Sequence, residues 1–198
     1  MRRILYLVGA AYLALSIVLL WNARPAPGSD LPVPPHSNPS KPQYNPDRDV
    51  AQWWEAMRPS CDAVEVESRM RATPPPERLA GFSYAAVCYT LAGKIDLART
   101  MIERLDGSQD RYRAAMFVFE QTHPVADAGD AESASTIMEL VLEFAPDIWQ
   151  ARYHAGMSAY ALHRSSEARA HLSRFVSEYQ EDDTWRKNAL TVLERMED

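Results

Sequence analysis

Three stretches of this chain share one arrangement, a helix-like apolar run that ends in a short turn with an alanine five residues beyond it. They are AGKIDLAR around Gly93 and Ala98, AGDAESAS around Gly129 and Ala134, and LHRSSEAR around His163 and Ala168. The equivalent alanines are 36 and then 34 residues apart. A period of this size marks stacked helical or strand units, none of which can bury its apolar face alone. The periodicity inside each unit is helical: helices are expected near residues 47–57, 61–72, 77–92, 95–106, 110–122, 130–145, 148–163, 165–179 and 184–196. Pro59, Pro74 to Pro76, Gly107 and Pro146 punctuate several of the boundaries. No segment reads as a strand, so the expected fold class is all-α.

The first unit carries Phe82, Ala85, Ala86, Tyr89, Gly93, Ile95, Ala98 and Ile102. That series resembles the large, small-small, aromatic, glycine, large, alanine, large pattern of the tetratricopeptide-repeat (TPR) family. The third unit is similar through Ala155, Gly156, Ala159, Ala168 and Leu172, but His163 replaces the turn glycine and Arg152 stands at the bulky opening position. The second keeps Gly129, Ala134 and Pro146, while Pro124 is expected to end its first helix early in an irregular turn. The resemblance covers residues 79–181, about half the chain. It implies a short TPR-like α-solenoid of about three hairpins, with leading helices over 47–78 and a capping helix within 182–198. It further implies a concave protein-binding groove made by the first helix of each pair, proposing Ser83, Val87 and Thr90 from the first unit and Tyr153, Met157 and Tyr160 from the third. Alternatively, Tyr153 and Tyr160 merely pack against neighbouring helices.

Residues 4–21 contain no charge, and ten of these eighteen are Leu, Ile or Val. At about 1.5 Å per residue they reach across a bilayer core of about 30 Å, so residues 1–23 read as a transmembrane signal anchor. Arg2 and Arg3 before the span, against Arg24 alone close after it, place the N-terminus inside and the rest outside the cytoplasm. The expected localisation is single-pass in the inner membrane, with a periplasmic or other extracytoplasmic domain. A cleaved signal peptide is the competing reading, though Trp21 two positions before Ala23 suits cleavage poorly. Residues 24–46 hold eight prolines and read as an extended spacer, with a docking strip as the alternative.

Setting aside Arg2, Arg3 and Arg24, 18 basic residues remain against 27 acidic ones, which disfavours nucleic acid and anionic lipid surfaces as partners. The cysteines, Cys61 and Cys88, are an even number in an oxidising compartment, so a disulfide is expected between two antiparallel helices. Closing a loop of about 28 residues would contribute about 3.5 kcal/mol. Two unpaired core cysteines are the alternative. Trp53 and Trp54 are adjacent and cannot both face one core from a helix, so one should pack on the array and the other is a candidate interface anchor, unless both are buried between elements. His154, His163 and His171 stand nine and eight residues apart, not the three or four that suits metal ligands on one helix face. G-x-S-x-G, a phosphate loop and H-E-x-x-H are absent, so the expectation is a non-enzyme without cofactor or small-molecule substrate. The leading reading is a membrane-anchored scaffold or assembly factor of an envelope complex. An extracytoplasmic chaperone for unfolded clients and, after cleavage, a secreted binding module are the alternatives.

Overall fold

Residues 50–197, the part of the chain that the computed structural model describes, form nine α-helices joined by short turns, with no strand among them. The helices are α1 (Val50–Met57), α2 (Val66–Ala72), α3 (Leu79–Leu91), α4 (Ile95–Glu103), α5 (Ser108–Asp127), α6 (Ala131–Phe144), α7 (Trp149–Ala161), α8 (Ser165–Glu178) and α9 (Thr184–Arg195). Helices α3 to α9 pack on their neighbours in sequence, and α3 on α5, α4 on α6, α5 on α7 and α7 on α9 also touch. That pattern of next and next-but-one contact gives a helical-repeat-like fold, compatible with an α-solenoid. No helix among the described residues is long and apolar enough to cross a membrane. The expected span at residues 4–21 and the spacer at 24–46 lie outside them.

The three recurring turns have one chemistry. Gly93, Gly129 and His163 each adopt a left-handed conformation, at φ of 70°, 82° and 60°. The amide after each donates to the carbonyl five residues back: Lys94 to Tyr89 (2.8 Å), Asp130 to Val125 (3.3 Å) and Arg164 to Ala159 (2.9 Å). This is the Schellman arrangement, which satisfies carbonyls that a helix end leaves bare and reverses the chain at once. Thus α3 and α4, α5 and α6, and α7 and α8 are joined by the same turn and pack on one another in pairs.

Two expectations about boundaries are corrected. Helix α5 runs through Pro124 to Asp127. The proline deprives only the Glu120 carbonyl of its intrahelical donor, and Glu120 is exposed, so water can take the place of that donor. Downstream, Ala128 still donates to the Pro124 carbonyl (3.0 Å), and Val125 and Ala126 pack on the core. Helix α2 starts at Val66, not near residue 61. The Asp62 carboxylate accepts from the amides of Val64 (2.8 Å) and Glu65 (3.0 Å), a local turn that competes with helix over those residues.

The core has two parts. The larger includes Trp53, Val66, Phe82, Val118, Met138 and Leu140, from α1 to α7. The smaller lies at the C-terminal end, where Tyr153, Leu172, Phe175, Ala189 and Val192 join α7, α8 and α9. Close approach of α7 to α8 depends on Gly156, since a Cβ there would stand 2.6 Å from Leu172 Cδ2.

Candidate functional site

The smaller core opens at its rim into a cavity of about 380 Å³, lined by Tyr153, His154 and Met157 of α7, by Trp185 and Asn188 of α9, and by Asp127 at the end of α5. Its far wall exists only because α9 is held in place. Asp183 caps the helix, accepting from the Arg186 amide at 3.1 Å, and also accepts from the Tyr179 hydroxyl at 2.5 Å. That hydroxyl bond pushes the Tyr179 phenol up to about 12 and holds the Asp183 carboxyl below its ordinary value. The Arg186 guanidinium donates to the Val176 and Tyr179 carbonyls, and Arg169 reaches the Met196 carbonyl at 2.7 Å, tying both ends of α9 to α8 and the segment after it.

Three rings stand steeply to one another at this cavity. Tyr153 and Trp185 meet at 73° with centroids 4.6 Å apart, Tyr153 and His154 at 77° and 5.6 Å, and His154 and Trp185 at 89° and 5.5 Å. Edge-to-face contact of this kind satisfies the ring quadrupoles and fixes the walls. Beside them the Asp127 carboxylate lies 3.8 Å from His154 Nε2 and 3.8 Å from His123 Nε2, too far for hydrogen bonds. His154 is 7% exposed, and its ring makes no hydrogen bond with the described residues. Burial holds its imidazole below the ordinary 6.5, with Asp127 pulling upward and His123 adding to the depression. At neutral pH the cavity therefore presents one carboxylate, one neutral imidazole, one amide and aromatic surface. That set offers both acceptors and donors, and its carboxylate and aromatic surface favour positive charge.

The proposed groove residues separate. Tyr153 and Met157 line this cavity, and Tyr160 is half-buried without lining it. Thr90 lines a second cavity, about 330 Å³, between the α3–α4 turn and α5–α6. Ser83, Val87 and Thr90 are 5%, 1% and 2% exposed, so the first unit offers no open groove through them. The reason is that α3 is enclosed: α1, α4 and α5 pack on it, and nine of its thirteen residues are buried. Ser83 and Thr90 turn their hydroxyls back to the Leu79 and Ala86 carbonyls, both at 2.8 Å.

Trp53 is fully buried and donates from Nε1 to the Thr73 carbonyl at 3.0 Å. Trp54 is half-buried and stacks on Tyr84 at 4.8 Å, which meets Phe117 edge-on. The Cys61 and Cys88 sulfurs are 2.02 Å apart, at disulfide distance, and join the segment before α2 to α3. The three histidines have separate surroundings: His163 forms a turn, His171 pairs with Glu139 at 2.7 Å, and His154 faces Asp127.

Sequence reasoning missed Asp127, Trp185 and Asn188. Trp185 offered a signal, an aromatic in the first turn of the last helix, and it packs inward against the smaller core. No protein-family model matches the chain, and no curated protein or solved structure matches it.

Proposed function

We propose that this chain is a TPR-type scaffold, tethered to the membrane through residues 4–21, that holds a protein partner outside the cytoplasm as a subunit or assembly factor of an envelope complex. The observation that carries the reading is the turn repeated three times, with a left-handed residue at 93, 129 and 163 and one hydrogen-bond scheme. A chain that reuses one hairpin at constant period builds an extended surface from rigid elements, and such surfaces serve recognition. The cysteine pair at disulfide distance supports an oxidising compartment and hence the extracytoplasmic side. The anchor confines the search to the membrane plane and raises the effective concentration toward membrane partners.

Mild cross-linking in intact cells, extraction through a C-terminal tag and quantitative mass spectrometry test this. A stoichiometric set of integral membrane proteins is the expected result. A broad, substoichiometric set of soluble envelope proteins would replace the scaffold with a chaperone. N-terminal sequencing of the mature chain separates a retained anchor from cleavage near residue 23.

A further inference from the structure

The strongest unassigned feature is the ring-walled cavity between α5, α7 and α9. We propose that it receives one basic side chain of a partner protein, with arginine the best fit. This rests on the scaffold reading and specifies what that partner must present.

Three observations converge on a cation. First, Asp127 is an exposed carboxylate whose only basic neighbours within 4 Å, among the described residues, are the His123 and His154 imidazoles, each at 3.8 Å. None of the three basic residues of α9 pairs with it: Arg186 donates to the Val176 and Tyr179 carbonyls, Lys187 pairs with Asp182 at 3.1 Å, and Arg195 lies at the far end of the helix. Second, His154 is a polar side chain more than nine-tenths buried, lining the cavity without a hydrogen-bond partner. Its ring nitrogens keep access to the cavity, where water serves them, and a donor entering from the partner can take the place of that water. Third, the Tyr153, His154 and Trp185 rings meet at 73° to 89° and make a three-walled corner. Aromatic walls beside a carboxylate are a cation site, since both the ring quadrupole and the charge attract positive groups.

Shape narrows the occupant further. A volume of about 380 Å³ is near the small end of ligand cavities, roughly 300–1,000 Å³, and holds one long side chain, not a helix. Asp127, Thr184 and Asn188 are exposed at its rim, so a side chain can enter from a docked surface. A guanidinium can lie flat against a ring while its edge donates to Asp127, a combination that an ammonium matches less well. The chain's own net charge of −6 fits a basic partner surface.

The test uses the full-length chain in detergent micelles, labelled with 5-fluorotryptophan, with the Trp185 fluorine resonance assigned through Trp185→Phe. The probes are the blocked pentapeptide Gly-Ser-Arg-Ser-Gly and its citrulline and glutamate counterparts. The arginine peptide is expected to shift the Trp185 resonance saturably. Citrulline keeps the shape and loses the charge, and should bind about tenfold more weakly, as should the arginine peptide on Asp127→Asn. Glutamate should not bind. Asp127 is exposed, so Asp127→Asn should leave the unfolding curve unchanged, and that curve is recorded alongside. Equal binding of the arginine and citrulline peptides, or an arginine affinity indifferent to Asp127→Asn, overturns the cation site. If cross-linking captures a stoichiometric partner but the arginine peptide leaves Trp185 unmoved, this inference fails and the scaffold stands. If the peptide binds with the expected charge dependence and no stoichiometric partner is captured, the scaffold reading fails and the cation site stands.

Discussion

At the scale of single residues, neighbours in sequence have unequal weight. Trp53 fills the core and satisfies its indole nitrogen, whereas Trp54 lies over Tyr84 with one side open to solvent. Trp53→Ala should cost about 3–5 kcal/mol of unfolding free energy and Trp54→Ala about 1 kcal/mol, read from urea titrations at constant slope. His163 presents a different economy. It occupies a conformation that disfavours any side chain, where the equivalent turns have glycine. Gly129→Ala should destabilise by about 1 kcal/mol, while His163→Gly should be neutral or stabilise by up to about 1 kcal/mol, strain relief being partly offset by the extra freedom of the unfolded chain. Equal losses from both substitutions would show that His163 makes a contact worth more than its strain.

At the scale of elements, packing decides what periodicity leaves open. Gly156→Ala should cost about 1–3 kcal/mol, because the added methyl group meets Leu172 across the α7–α8 contact. The helices were legible in the chain because their apolar spacing and their turn residues agreed: Gly93, Gly129 and the paired alanines announce the hairpins without any tertiary knowledge. Pro124 misled because its cost depends on what surrounds the freed carbonyl, and Glu120 happens to face solvent. The groove over α3 misled for a related reason. Ser83, Val87 and Thr90 do share one helical face, but the sequence does not say that α1 and α5 enclose that helix. Tyr153 and Met157, singled out for a concave groove, line this cavity. Asp127 and Trp185 were not singled out, since they join it from helices 58 residues apart, a juxtaposition no local pattern encodes.

At the scale of the whole molecule, two linkages set the conditions for stability. The Cys61–Cys88 pair spans 27 residues, and Cys61→Ser with Cys88→Ser should lose about 3.5 kcal/mol, or roughly 10 °C of melting temperature, with reductant reproducing the loss in the wild type. An unchanged melting point in both would mean that the pair is not bonded in the native protein. Acid should act in two stages. The His154 imidazole is held below 6.5 in the fold, so the unfolded chain takes up protons first and stability falls as pH drops below 6.5. A second fall follows below about 4.5, where Glu139, lowered by its bond to His171, and Glu178, lowered by Arg174 and Arg152, lose their fold-specific charge. His154→Asn should abolish the first stage and spare the second in melting curves from pH 8 to 3. The end of the array gives these numbers a further meaning. Because the small core under α9 is separate from the main one, the last helix can open locally without disturbing the main core, and the cavity disappears whenever it opens. An occupant of that cavity would act as a latch, slowing amide hydrogen exchange throughout Thr184–Arg195 while leaving α3 untouched, so that recognition at the rim is also closure of the array.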